Sequence, residues 1–138
     1  MPTSGACPIT AHAHGPAGIA DAVAAGVDGV EHATFVTAGG VELDERTVDR
    51  MAVAGTAVGA TEAWLPDGPP LPAVAAGRLE QCWANFARMH RAGVRVVCCS
   101  DAGIGPRKPH DVLSPESRCV RSAWACSQRR HRRHRALV

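Results

Sequence analysis

One unit occurs three times along the chain and limits the folds open to it. A helix-forming stretch is followed by an Ala-Gly pair and then by a short run rich in Val, Thr and Cys, in the strings DAVAAGVDGVEH, RMAVAGTAVGAT and MHRAGVRVVCCSD. Gly26, Gly55 and Gly93 stand where the end of a helix needs a left-handed residue. The runs after them suit buried parallel strands.

The repeated unit predicts strands that alternate with helices. A further run at residues 7–14 gives a strand before the first helix, so the predicted order is β-α-β-α-β-α-β. Helices are predicted near residues 16–25, 44–54 and 72–92. Such alternation is typical of an α/β fold, here with about four parallel strands joined by right-handed crossover helices.

The charge divides the chain into two parts. Residues 1–117 carry a net charge of −5, whereas residues 118–138 carry seven arginines and no acid. We interpret residues 1–115 as one domain and residues 116–138 as an irregular basic tail, either disordered or read from a shifted frame. The alternative is an arm that binds nucleic acid. Only Trp124 accompanies those arginines, so the tail lacks a platform for stacking bases, and we do not favour this partner.

The composition also bears on location. No run of about 20 apolar residues is present, so we expect no membrane span. The opening MPTSGACPIT shows neither a basic start nor a long apolar stretch, so we expect no secretion signal. Six cysteines without zinc-knuckle spacing suit free thiols in a reducing compartment. These features predict a cytoplasmic protein.

Polar residues stand where each predicted strand ends. His12 and His14 end the first strand, His32 the second, Glu62 the third and Asp101 the fourth. The carboxyl ends of parallel strands meet at one edge of the sheet, where ligands gather. A single histidine at a strand end is more often a hydrogen-bonded loop residue. The joint pattern predicts a site for a divalent metal, zinc above others, because imidazole and carboxylate are its ligands.

Two strings resemble the amidohydrolase superfamily, in its imidazolonepropionase-like and prolidase-like branch. ITAHAHG-PAGIADAVAAGVDGVEHATF is similar to the region from strand five to strand six, and RAGVRVVCCSDAGIGPRKPHD to the region of strand eight. The similarity covers about residues 6–113. It implies part of a TIM-type (β/α) barrel, its C-terminal half. It also implies a metal-dependent hydrolase that cleaves a C–N bond, in an amide or cyclic amide of a non-peptide or dipeptide substrate.

The resemblance also implies roles for single residues. His12 matches the metal ligand of strand five and His32 that of strand six. Asp101 matches the aspartate of strand eight, which contacts the metal and takes the proton of the attacking water. The chemistry agrees, because a divalent ion acidifies water and a nearby carboxylate can then accept the proton.

Three further residues are predicted to lie near a small-molecule substrate. His14 matches no family ligand and is placed either near the substrate or behind the metal ligands, where it would support them. Glu62 and His110 belong to the loops 62–71 and 103–111, which would shape the pocket.

The chain departs from the family in ways that change the expected activity. The family has a His-x-His pair on strand one and a carboxylated Lys or a Glu on strand four. This chain has no second strand with His-x-His, and its only lysine is Lys108. We therefore expect a truncated amidohydrolase, weakly active or inactive alone, that forms a homo-oligomer or receives the missing half-barrel from another chain. The alternatives are a metal-binding remnant without catalysis and a basic-tailed nucleic-acid-binding module.

Overall fold

The computed structural model describes residues 7–65, 69–71, 73 and 75–113. The predictions for the tail at 116–138 therefore lie outside the described residues. In chain order, the described elements are β1 (Thr10–Ala13), α1 (Pro16–Ala25), β2 (Gly29–His32), α2 (Glu45–Ala54), β3 (Ala57–Ala60), α3 (Leu79–Ala92) and β4 (Arg95–Cys98). None of the described helices is long and apolar enough to cross a membrane.

The four strands form one parallel sheet in the order β1-β2-β3-β4. Each strand pairs with the next strand of the chain, and a connection containing a helix separates them. This is the arrangement of consecutive βα units in part of a (β/α) barrel. The predicted α/β fold with four parallel strands and crossover helices is confirmed.

The helix ends agree with the sequence pattern. Gly26, Gly55 and Gly93 follow the three helices with φ values of 81°, 74° and 104°, in the left-handed region. Asp44 precedes α2, and its side chain accepts a hydrogen bond of 3.1 Å from the backbone N–H of Arg46. Glycine caps therefore turn the chain from each helix into the next strand.

The third helix begins later than the sequence pattern predicts. It was expected from about residue 72, but α3 starts at Leu79. Gly77 has a φ of 72°, which an α-helix cannot contain, and residues 75–78 form turns. The apolar pattern of the sequence continues upstream of Leu79 and therefore does not show where the helix begins.

The core lies between the helices and one face of the sheet. Val30 of β2 and Val58 of β3 are fully buried, as are Ile19 of α1, Met51 of α2 and Met89 of α3. Phe86 and Cys82 complete the buried side of α3. The stripe on α3 is therefore a packing face, as the sequence predicts.

The other face of the sheet carries one row of residues across all four strands. The strand register places His12 beside Glu31, Glu31 beside Gly59, and Gly59 beside Val97. Val97 is 53% exposed, and His12 is exposed as well. Because successive strand residues point to opposite faces, this row lies away from the helices, on the side that faces the interior of a closed barrel.

The core generates a prediction about stability. We expect Met51→Ala to lower the free energy of unfolding by about 2–5 kcal/mol, because it leaves a cavity beneath the sheet. Val53→Ala, on the same helix, is the matched control, because Val53 is 91% exposed. Urea denaturation followed by circular dichroism measures both. Equal stability of the two variants would contradict the described core.

The sheet edges generate a second prediction. Among the described residues, β1 and β4 each pair with a strand on one side only. Unpaired edges expose backbone donors and acceptors that recruit other strands. We expect the chain to associate as its concentration rises, which light scattering across a dilution series measures. A monodisperse monomer throughout the series would show that both edges are protected.

Candidate metal centre

Two of the predicted ligands lie together where β1 and β2 end. The register sets Ala13 opposite His32, so the strands end side by side. The Nε2 atom of His32 lies 3.0 Å from the Nδ1 atom of His12. His32 has a φ of 71°, in a region that L-residues other than glycine rarely adopt. This departure from the extended backbone accompanies its contact with His12 across the strands.

His14 completes a cluster of three histidines. Ligand atoms of His12, His14 and His32 all lie within 4.8 Å of one another. The rings of His14 and His32 are stacked, with centroids 4.2 Å apart. The Nδ1 atom of His14 lies 3.0 Å from the hydroxyl oxygen of Thr34. The sequence predicts His14 near the substrate or behind the metal ligands, and in the structure it lies against His12 and His32.

The geometry of the cluster fits a divalent ion. Zinc binds imidazole nitrogen at about 2.0–2.1 Å, so two nitrogens on a tetrahedral ion stand about 3.3 Å apart. The separation of 3.0 Å between the His32 and His12 nitrogens is close to this value. The other ring nitrogen of His32 lies 2.7 Å from the Thr61 hydroxyl oxygen, which fixes the orientation of the ring. Three nitrogens can therefore converge on one ion.

The electrostatics of the cluster also favour metal binding. Burial, together with the neighbouring His14 and His12, lowers the pKa of His32 to about 4. Burial likewise lowers the pKa of His14, with His12 as the second cause. Metal binding requires neutral imidazole. These two rings are therefore ready to bind a cation at neutral pH.

Asp101 lies on the same cavity but outside the histidine cluster. It follows β4 with a φ of 50°, the second predicted ligand with a left-handed backbone. Its Oδ2 atom lies 3.2 Å from the Nζ atom of Lys108. In the described part of the chain, the set of ligand atoms within 4.8 Å of one another contains the three histidines and not Asp101.

Sequence reasoning gave no role to Lys108, although it is the only lysine of the chain. Its side chain is 2% exposed and lines the cavity. Its Nζ atom donates to the Thr61 carbonyl oxygen at 2.6 Å and lies 4.5 Å from the centroid of the Trp64 ring. The one feature of the sequence that could have pointed to Lys108 is that it is the only lysine and lies in a loop rich in Gly and Pro.

The cavity beside the histidines has a volume of about 360 Å³. Its apolar lining comes mainly from Val36, Trp64, Leu79, Cys82 and Ile104. Glu62 also lines it, is 7% exposed, and accepts a hydrogen bond of 3.0 Å from the Trp64 Nε1–H. His110 is exposed, lies near Gly103, and is not among the residues that line the cavity.

The lowered pKa of His32 generates a prediction about pH. An unfolded histidine titrates near 6.5, so between about pH 6.5 and 4 the unfolded chain binds more protons than the folded one. The contribution of His32 to the free energy of unfolding therefore falls as the pH drops through this window and is constant above it. We expect His32 to account for a loss of about 2 kcal/mol.

Urea titrations with a chelator present, at intervals from pH 7.5 to 4.5, measure this slope. The variant His32→Asn is the control, because the carboxylates and the other histidines titrate in both proteins and only the wild type carries the contribution of the His32 imidazole. Identical slopes for the two proteins would contradict the lowered pKa.

Comparisons with known proteins bear on the fold. No family model matches the chain, and no curated protein matches it. A solved structure described as a Xaa-Pro dipeptidase with bound methionine in the active site is similar, with a TM-score of 0.55 and 24% identity. The similarity covers 84% of this chain and 32% of that one. An ochratoxinase of A. niger matches with a TM-score of 0.48 and 24% identity, over 66% of this chain and 21% of its own. The chain thus spans about a third of the dipeptidase and shares the fold of that part.

Proposed function

We propose that His12, His14 and His32 bind one divalent metal ion, zinc above others, in a hydrolase that cleaves a C–N bond of a small molecule. The observation that carries the proposal is the convergence of three imidazole nitrogens within 4.8 Å at the carboxyl ends of β1 and β2. Histidine clusters of this kind are the usual nitrogen donors for catalytic zinc. The lowered pKa values of His14 and His32 support the same assignment.

A bound divalent ion supplies Lewis acidity, which polarises a carbonyl group and acidifies water. The residues of the chain supply the rest. Thr61 and Thr34 orient the rings of His32 and His14 through their hydroxyl oxygens. Asp101, on the same cavity, is proposed as a further ligand, as the resemblance implies, and as the acceptor of the proton of water.

The cavity supports a substrate of about dipeptide size. A volume of about 360 Å³ lies at the small end of the range for ligand sites, and the lining is mainly apolar. The dipeptidase neighbour, whose description names a bound methionine, supports an amide with an apolar side chain. Glu62 lines this space and is proposed to face the substrate. The role of His110 stays a prediction.

One observation favours a second candidate, metal binding without catalysis. The Oδ2 atom of Asp101 is engaged by Lys108, which removes half of the carboxylate from the proposed proton transfer. The third alternative, a nucleic-acid-binding module, depends on the tail, which lies outside the described residues.

The proposal is tested by metal binding and hydrolysis in one series. We expect the chelator-stripped chain to bind zinc in a 1:1 ratio by calorimetry. Removing one of the histidine ligands should weaken binding by about tenfold or more, so His32→Ala should lose most of the affinity. His110→Ala is the matched control, because His110 is exposed and does not line the cavity.

Hydrolysis is then measured on N-acyl amino acids and dipeptides with an apolar residue. We expect slow turnover that a chelator abolishes and that Asp101→Asn lowers by about 100-fold, since the asparagine cannot accept the proton. Zinc binding without chelator-sensitive turnover would favour the second candidate. Failure of the wild-type chain to bind zinc would contradict the proposed function.

A further inference from the structure

Lys108 places a positive charge inside the cavity that the proposed metal ion would share. Its side chain is 2% exposed, so the ammonium group is almost fully removed from water. Within the described part of the chain, the Nζ atom lies 3.2 Å from the Asp101 carboxylate, 2.6 Å from the Thr61 carbonyl oxygen and 4.5 Å from the centroid of the Trp64 ring.

A buried ammonium group is costly unless a negative charge compensates it. Among the described residues, the recorded ion pairs give Lys108 one carboxylate partner, Asp101. Lys108 and Asp101 together are neutral. Asp101 therefore serves as the counter-ion of a cation that belongs to the protein itself.

The same carboxylate lies within electrostatic range of the histidines. Asp101 and Lys108 line the same cavity as the three histidines. A cation at these rings is thus attracted by Asp101 and repelled by Lys108.

We propose that Lys108 competes with the metal ion for Asp101 and thereby sets the metal affinity of the histidine cluster. The inference rests on the proposed function in one respect, that the cluster binds an ion. An ion that takes Asp101 as a ligand competes with Lys108 for its negative charge, and Lys108 keeps the Thr61 carbonyl oxygen and the Trp64 ring as partners. Lys108 is then a positioning residue that acts through the carboxylate.

A purely structural role makes a different prediction. Lys108 also ties the loop after β4 to Thr61, at the end of β3. If Lys108 only connected these two segments, its removal would lower the free energy of unfolding and leave the zinc affinity unchanged or weaker. Competition for Asp101 requires the affinity to rise.

The experiment compares zinc affinity, by competition with a chromophoric chelator, in the full chain and three variants. Lys108→Met removes the charge and keeps much of the side-chain volume, and we expect it to bind zinc roughly tenfold more tightly. Lys108→Arg keeps the charge. Arg88→Met removes one positive charge from the exposed side of α3, where Arg88 pairs with Glu45. Lys108→Arg should bind zinc no more tightly than the wild type, and Arg88→Met should stay within about twofold of the wild type.

A second measurement does not depend on the folding of a variant. The chain has a single lysine, so a sample labelled with ¹³C-lysine gives one set of lysine signals by NMR. We expect the ε-carbon signal to move when zinc saturates the wild-type chain, because the carboxylate beside it changes partner. A signal that does not move at saturation overturns the inference.

The outcomes separate this inference from the proposed function. Wild-type affinity in Lys108→Met overturns the competition and leaves the metal site standing. Zinc binding by Lys108→Met alone upholds the competition and removes the proposed function from the wild-type chain. Absence of zinc binding in both proteins overturns the two together.

Discussion

The candidate centre depends on the parallel pairing of β1 with β2 and on the backbone turn where β2 ends. The pairing brings the two strand ends together, with Ala13 opposite His32. The left-handed φ of His32 costs conformational energy that an extended residue would not incur. The buried bond to Thr61 and the contact with His12 hold the ring in place. Strained backbone of this kind is often found at functional sites, where the surrounding structure compensates for it.

The sequence predicted the strand order, the glycine caps and the α/β class, because these depend on local patterns that repeat. Gly26, Gly55 and Gly93 mark the helix ends by a requirement that few residues meet. The start of α3 could not be read in this way. Its apolar stripe continues past Gly77, and hydrophobic periodicity does not respond to one left-handed residue.

The candidate site was predictable to the level of its edge and no further. The carboxyl ends of parallel strands share one edge of the sheet, so the sequence predicts that His12, His32 and Asp101 lie at that edge. Which of them contact one another depends on side-chain rotamers and on positive φ values at non-glycine residues, which no propensity encodes. Two contacts could not be predicted from the sequence for this reason. They are the contact of His14 with the other two histidines and that of Lys108 with Asp101, seven residues away.

The sheet order has a consequence for how the chain acquires its structure. Because β1, β2, β3 and β4 are neighbours in the same order as in the chain, every strand pairing joins adjacent βα units. The paired strands stand 19, 28 and 38 residues apart in the chain, so each pairing closes one βα unit. Each unit can dock onto its predecessor as it leaves the ribosome, with no later strand inserted between earlier ones. The three rings stand on the first two strand ends, but Thr61, which holds the ring of His32, follows β3, so the cluster is fully supported only when the third strand has joined the sheet.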